Sequence, residues 1–307
     1  MIQIKNIKYS IFALSGLLFL ASCEGSEDLS SKSVINVSQT PNSEFQTYLN
    51  QNFEKPYNIA VNYQWQNNSS FDRMQLFPPN EAKAYEVAKA LNVIWIDLYM
   101  QVAGKELLKE MSPAEIKLFG NANIDSFGVE KWQLSNDSPF PFTIFKVDDF
   151  NKNNEESMIR LSRNVQNNMA KLMAYHKKFD LEEFSNLNFR KYKLDDFGEK
   201  KEASELSSVP FYVGFYSFSA ARYDVYEDFA ETMSVLLSYP KHEVDQMIEY
   251  AATPADDYYK EVERARQAKK TLEAKRDFVT KYLKEEFDID INVLNLQNLI
   301  RLKKYAQ

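Results

Sequence analysis

Two kinds of apolar spacing divide this chain, and their order limits the folds that it can adopt. Alternation of apolar residues with small or polar ones, which predicts strands, occurs in the first half. The segments with this pattern are 57–65, 114–120, 128–135 and 142–150. Helical spacing dominates from residue 155 onward. Strands that precede helices indicate an α+β fold, with a small sheet followed by a mostly helical C-terminal half, rather than a βαβ alternation.

Helical spacing is clear in the segment 155–178. Apolar residues there fall on one side of a helix, namely Met158, Leu161, Val165, Met169 and Leu172. Polar residues fall on the other side, namely Arg160, Asn164, Asn167, Lys171 and Lys178. This division predicts an amphipathic helix whose polar face is solvated or lines a cleft.

Other segments are also predicted to be helical, namely 80–104, 226–240, 242–252 and 256–286. Asn80 is placed to cap the first of them, and Pro240 ends the second. The last is rich in Lys, Glu and Arg, so we expect a solvated face with i,i+4 ion pairs or a docking surface. The aromatic segment 210–223 is predicted to be extended.

The composition excludes several kinds of function. The chain has 7 glycines among 307 residues and no Gly-rich phosphate-binding motif. Its net charge of −7 makes nucleic acid an unfavourable partner, since phosphate contacts need a basic surface. His176 and His242 are the only histidines, and Cys23 is the only cysteine. A metal site rich in His or Cys and an internal disulfide are therefore both excluded.

The N-terminus has the layout of a secretory signal. Two lysines precede an apolar run over 11–20, which is short for a membrane span. Residues 20–23, LASC, then resemble a bacterial lipobox. This resemblance predicts a signal peptide over 1–22 and a lipid, such as palmitate, on Cys23. A plain signal peptide with a chance cysteine is the alternative.

A polar, Ser-rich segment over 23–40 follows and is predicted to be a flexible tether. Glu24, Glu27 and Asp28 follow within five residues of Cys23, the predicted site of lipidation. They resemble the acidic signal that takes some lipoproteins to the outer face of the outer membrane. We therefore expect a lipid-anchored protein of the outer membrane, exposed at the cell surface. The alternative is that these residues only keep the tether solvated.

Longer stretches resemble one family, in the same order along the chain: 52–65 (NFEKPYNIAVNYQW), 77–120 (from FPPNEAKAYEVAKAL to AEIKLFG) and 214–237 (GFYSFSAARYDVYEDFAETMSVLL). They are similar to the zinc metallohydrolase lipoproteins associated with TonB-dependent substrate import, a zinc metallopeptidase family. The resemblance covers most of residues 43–240. It implies a zincin-like metallopeptidase fold over 41–255, with a helical extension over 256–307 packed on or beside it. It also implies two partners, a TonB-dependent outer-membrane transporter and its surface lipoprotein.

That family carries an HExxH helix, in which two histidines bind zinc and the glutamate is the general base. The frame that aligns the apolar residues puts Asn167, Asn168 and Lys171 at these three positions. A neutral amide is a poor zinc ligand, and a protonated lysine has no lone pair to donate. Asn168 has no basic oxygen that could take a proton from water. We therefore expect no zinc, no cofactor besides the lipid on Cys23, and no catalysis.

The resemblance places the family's third zinc ligand at Glu227, with Glu231 as a second remnant carboxylate. Loss of zinc would leave these side chains facing inward, and a buried unpaired charge is costly. This leads to the hypothesis that Lys171 pairs with Glu227 or Glu231. A replacement metal site that combines His176 with Asp180 or with these carboxylates is a weaker alternative.

The aromatic segment supplies weak candidates for a binding groove, namely Tyr212, Tyr216 and Tyr223. A place in the core of a strand is the more common outcome for such residues.

The predicted function is that of a catalytically inactive member of this family, which serves as a binding or scaffold subunit of a TonB-dependent nutrient uptake complex. One alternative is a divergent active metallohydrolase or peptidase with a non-standard site. The other is a structural lipoprotein of the cell envelope.

Overall fold

The computed structural model describes residues 43–65, 76–124, 130–132, 142–189, 210–217, 221 and 224–306. Ser43–Gln307 form one compact unit by their contacts. The predicted signal peptide, the tether and Cys23 lie outside the described residues. No described helix is both long enough and apolar enough to span a bilayer.

A small parallel sheet forms in the first half of the chain, where the alternating patterns lie. Its strand order is β1 (Ala60–Asn62), β2 (Glu115–Leu118) and β5 (Phe142–Ile144), and both pairs are parallel. Between β2 and β5 in sequence, β3 (Asn123–Ile124) and β4 (Glu130–Lys131) form a separate antiparallel pair. The strands are shorter than the segments predicted for them, and most of 128–135 lies outside the described residues.

Helices account for most of the remaining described chain. Those before the site are α1 (Glu44–Leu49), α2 (Glu81–Leu91), α3 (Asp97–Val102) and α4 (Lys105–Glu110). The others are α5 (Glu155–His176), α6 (Leu181–Asn186), α7 (Val225–Ser238), α8 (Lys241–Ala251), α9 (Tyr259–Phe287) and α10 (Ile291–Ala306). A π-helical turn continues α1 over Asn50–Glu54 and ends in a single α-helical turn, Lys55–Tyr57, and another π-helical turn joins α2 to α3 over Asn92–Ile96.

The helix boundaries follow local capping, much as predicted. Asn80 accepts a hydrogen bond from the backbone N–H of Ala82 at the start of α2, and Asn154 does the same for Ser157 at the start of α5. His242 lies in the first turn of α8, as expected from its position after Pro240. The predicted helix over 155–178 is therefore confirmed with an end two residues earlier, at His176.

The helices α5 and α7 pack against each other in antiparallel orientation at the centre of the unit. Ser162 near the start of α5 contacts Ser238 at the end of α7, and Lys171 near the end of α5 contacts Glu227 at the start of α7. On the other side, β5 lies against α5. This packing buries α5 almost all round, so the predicted solvated polar face is wrong for Asn164, Asn167 and Lys171.

The C-terminal helices share this core. Leu272 and Val279 of α9 are buried in it, and Asn298 of α10 donates to Ser162 Oγ of α5 at 2.8 Å. The boundaries proposed at residues 41 and 255 stay predictions.

The segment 210–217 is not extended as predicted. It begins with a 3-10 turn, Pro210–Val213, and turns again at Gly214, which has a φ of 83°. A side chain at Gly214 would also meet Thr271 of α9, so a glycine is required there on both counts. The aromatic residues of this segment therefore pack against helices rather than along a strand.

Candidate functional site

Three carboxylates of α7 form the centre of the site. Glu227, Asp228 and Glu231 are all buried, and Asp224 caps the helix by accepting from the N–H of Glu227 at 3.0 Å. Buried carboxylates need partners, because water cannot solvate them. Each of the three has a cationic partner from another helix.

Lys171 of α5 is the partner of Glu227. Its Nζ lies 2.5 Å from Glu227 Oε1, and the two side chains are 7% and 8% exposed. This is the pairing put forward as a hypothesis from the sequence. Lys171 therefore places an ammonium at the position that the sequence resemblance assigns to the second zinc-binding histidine.

Arg163 and Asn167 of α5 both bind Glu231. Arg163 Nη2 donates to Glu231 Oε2 at 2.5 Å, and Asn167 Nδ2 donates to Glu231 Oε1 at 3.1 Å. Asn167 Oδ1 is buried and has no donor in the part of the chain that the structure describes. Arg163 lies one turn before Asn167 on the same face, a spacing that was visible in the sequence and was not used.

Asn168 faces the sheet rather than the carboxylates. Its Oδ1 accepts from Thr143 N at 3.2 Å, and its Nδ2 donates to Thr143 O at 3.0 Å. Asn164, one turn earlier, accepts from Phe145 N at 3.2 Å. The two asparagines thus satisfy backbone groups on the open edge of β5, which neither residue type nor spacing suggested.

The third carboxylate, Asp228, faces α9 instead of α5. Lys275 Nζ lies 2.6 Å from Asp228 Oδ2, donates to Gly214 O at 2.7 Å and sits 4.0 Å from the centre of the Phe215 ring. Burial of its ammonium lowers the pKa of Lys275, although Asp228 opposes this effect. The expectation of a solvated face is therefore wrong at Lys275.

The donor set at the motif positions does not fit zinc. Asn167 offers one free amide oxygen, Asn168 is engaged with the backbone of β5, and Lys171 presents an ammonium. An ammonium has no lone pair and would repel a dication. Among the described residues, no three His, Cys, Asp or Glu side chains are grouped closely enough to hold a metal ion.

The remaining predicted site residues are not brought together. His176 is exposed at the end of α5, and Asp180 caps α6 by accepting from the N–H of Glu183 at 2.8 Å. Tyr216 is buried and donates to Leu272 O at 2.8 Å, so it does not line an open groove. Tyr212 stacks on Tyr250 with ring centres 5.3 Å apart. The last candidate, Tyr223, lies outside the described residues.

Two clefts flank the N-terminal half of α5. One, of about 290 Å³, lies beside the β5–α5 connection and includes Lys146 and Arg160. The other, of about 440 Å³, includes Trp132, Arg160 and Arg163. Arg163 therefore links the second cleft to the buried Glu231.

Comparison with known proteins identifies the family. A family profile described as a putative zinc-binding metallo-peptidase matches residues 38–292, well over half of the chain. This chain belongs to that family of metallopeptidases. The crystal structure of a putative zinc-binding metallo-peptidase from Bacteroides caccae ATCC 43185 is similar, with a TM-score of 0.62 and 18% identity over 89% of this chain and 97% of that one. No curated protein matches this chain.

These findings confirm the resemblance to metallopeptidases and the α+β, zincin-like fold class. They overturn the prediction that the chain is not an enzyme. The family and the similar structure are both described as putative zinc-binding metallo-peptidases, which points to an enzyme, and the residues at positions 167, 168 and 171 do not demonstrate inactivity. The physical error lay in treating the loss of one donor set as the loss of all chemistry.

Proposed function

We propose that this chain is a lipid-anchored outer-membrane protein of the metallopeptidase family. It acts on polypeptides beside a TonB-dependent transporter. It is exposed at the cell surface and acts as an accessory subunit of a nutrient uptake complex that also contains the transporter's surface lipoprotein. The observation that carries this proposal is the position of Cys23. The only cysteine of the chain directly follows the lipobox-like residues 20–22, ahead of a domain of this family.

The anchoring part of the proposal has a direct physical consequence. Acyl chains contribute about 0.8 kcal/mol of membrane affinity per buried CH₂ group, so lipidated Cys23 would hold the protein on the membrane. The variant Cys23→Ala should lose incorporation of a palmitate analogue and leave the membrane fraction. The variant Ser26→Ala, in the same polar segment, is the matched control and should behave like the unaltered chain. Retention of the Cys23→Ala variant in the membrane fraction would contradict the lipid anchor.

The complex and its location need a separate experiment. Affinity purification of the full chain from gently solubilised outer membranes should recover a TonB-dependent transporter in stoichiometric amount. Protease added to intact cells should remove the protein, while a periplasmic marker stays intact. Recovery of the protein alone would favour a structural envelope lipoprotein instead.

We also propose that the positions of Asn167, Asn168 and Lys171 do not hold zinc, because Asn168 and Lys171 are engaged as described above and Asn167 offers only a neutral amide oxygen. Metal analysis of the purified full chain should give far less than one zinc per chain. Stoichiometric zinc that survives mild chelation would contradict this statement.

A second candidate function is peptide-bond hydrolysis at a site that does not use these positions, and membership of the family favours it. Incubation of the full chain with a mixed peptide library should then generate new amino termini at a measurable rate. The variant Lys171→Met should retain that rate. Cleavage that stops when Lys171 is replaced would show that the active site does include the motif positions.

A further inference from the structure

The cleft beside Trp132 combines two kinds of charge. Arg160 and Arg163 form one part of its lining, while Glu155 and Glu156 of α5 and Glu243 of α8 form another. Its volume of about 440 Å³ falls within the range of small-molecule sites. We call it the arginine cleft.

The two arginines have donors left over. Arg160 Nη2 binds Glu130 of β4, and Arg163 Nη2 binds Glu231 of α7. A guanidinium has five N–H groups, and the Nε–H of each arginine is buried without an acceptor among the described residues. These buried Nε–H groups cannot reach a ligand in the cleft, so the capacity to bind an acceptor there lies with the terminal N–H groups, on side chains that are 31% and 18% exposed.

Trp132 holds the two guanidiniums near each other. Their central carbons lie 5.2 Å and 5.7 Å from the centre of the indole ring. Burial lowers the pKa of Arg160, and the nearby charge of Arg163 lowers it further. An anionic group between the two arginines would relieve this repulsion, and a carboxylate matches the planar fork of a guanidinium.

The acidic part of the lining is open to a cationic group, since Glu155 and Glu156 are exposed and Glu243 is half-buried. None of Glu155, Glu156 and Glu243 forms an ion pair with any other residue that the structure describes. With Glu130 and Glu231 included, carboxylates outnumber guanidiniums around the cleft, so a simple anion is disfavoured. A simple cation would leave the remaining donors of Arg160 and Arg163 without an acceptor. A ligand that carries both charges satisfies both parts of the lining.

We propose that the arginine cleft binds a small zwitterion, either a free α-amino acid or a short peptide with free termini. The ligand carboxylate binds Arg160 and Arg163, and its ammonium group lies at the carboxylates of Glu155, Glu156 and Glu243. The inference rests on the proposed function, because polypeptide handled at the cell surface supplies such ligands. It deepens that function by assigning recognition to the chain termini rather than to side chains.

The test uses ligands with blocked termini on the unaltered full chain, purified in detergent. Calorimetric titration compares alanine, trialanine, N-acetyl-trialanine and trialanine amide. Alanine or trialanine should bind once per chain, and which of them binds more tightly identifies the source of the ligand. Blocking either terminus of trialanine should weaken binding about tenfold to a hundredfold, the effect expected for hydrogen bonds to a charged group.

Variants then locate the site. Arg160→Gln should weaken binding of trialanine and reduce the difference between trialanine and its amide, since Arg163 remains as a second partner of the carboxylate. Glu243→Gln should reduce the difference between trialanine and its N-acetyl form. Arg266→Gln is the matched control, since Arg266 is an exposed arginine of α9 paired with Glu263. It should leave every affinity unchanged.

The ligand series does not depend on whether a variant folds. The proposal is overturned if neither alanine nor trialanine binds at millimolar concentration. It is also overturned if blocking either terminus of trialanine leaves its affinity unchanged. A difference between trialanine and its amide that is undiminished by Arg160→Gln in a folded protein also overturns it, because the ligand carboxylate then binds elsewhere. Titration in detergent is independent of anchoring and of the transporter, so a failed co-purification and a failed titration are distinguishable.

Discussion

Glu227 and Asp228 are neighbours on α7, yet they end in ion pairs of different kinds. Glu227 turns toward α5 and meets Lys171, and both side chains retain a little exposure, 7% for the lysine and 8% for the glutamate. Asp228 turns toward α9 and meets Lys275, with exposures of 1% and 0%. One helix turn thus carries a pair at the positions of the zinc motif and a pair that is fully buried.

The difference teaches how each lysine offsets the cost of burial. Lys275 has Asp228, a backbone oxygen and the face of Phe215 as partners. Lys171 has one described hydrogen bond, to Glu227, and some contact with solvent. A fully buried ion must find every partner within the protein, whereas a nearly buried one can keep part of its hydration. We therefore infer that the Lys275 pair is structural, while the Lys171 pair lies at a position that the family resemblance assigns to the zinc motif and contributes less to stability.

The largest effect is expected from Lys275→Met. The substitution leaves Asp228 buried and without its cation, so we expect a loss of about 3–5 kcal/mol in the free energy of unfolding. Urea denaturation followed by circular dichroism measures it. Lys281→Met is the control on the same helix, because its pair with Glu285 is more than half exposed, and it should change stability by less than about 0.5 kcal/mol. Equal effects of the two substitutions would contradict a structural role for Lys275.

A smaller loss is expected from Lys171→Met. Glu227 then lacks its cation but lies close enough to the surface to be hydrated or protonated, so we expect a loss of about 1–3 kcal/mol. The same denaturation experiment measures it. A loss as large as that of Lys275→Met would remove the distinction between the two pairs.

The sequence predicted the fold better than it predicted the site. Helical spacing and caps located the start of α2 and both ends of α5 closely, because both signals are local, but they did not show the π-helical turn that divides the helix predicted over 80–104. The polar face of α5 was misjudged, because nothing local to Asn164 or Asn167 reveals that β5 and α7 cover it. The pairing of Lys171 could be anticipated only because family resemblance brought residues 171 and 227 together.

The sequence does contain a signal that predicts the burial of Lys275. The buried residues Ala268, Leu272, Val279 and Leu283 follow helical spacing along α9, and Lys275 occupies a position in that same apolar series. A lysine inside an apolar stripe requires a buried acid, and Asp228 in the apolar helix α7 is such an acid. Which acid it meets depends on a contact across 47 residues of sequence (275 − 228) that spacing alone does not provide.

A still smaller net effect is expected when both members of the buried pair are replaced. In Lys275→Met combined with Asp228→Leu, no unpaired charge remains, and such exchanges are often close to neutral. We expect the double variant to recover at least half of the stability that Lys275→Met loses. The coupling free energy from the complete double-mutant cycle is the quantity to measure. Simple additivity of the two single losses would show that the ion pair is not the source of the effect.

The smallest effect is a dependence on pH that only the Lys275 pair should show. Burial lowers the pKa of Lys275 in the folded protein below the value of about 10.4 expected for an unfolded chain. Between these two pKa values the unfolded chain holds a proton that the folded chain has released, so the contribution of Lys275 to the free energy of unfolding rises with pH. Below the folded pKa both states are protonated and the cost of burying the charge is fully present. Urea denaturation of the unaltered protein and of Lys275→Met, at several pH values up to 10, isolates this contribution, because tyrosines and other groups titrate in both proteins. The stability difference between them should widen as pH rises, and a difference that narrows would show that attraction to Asp228 outweighs the burial of the ammonium.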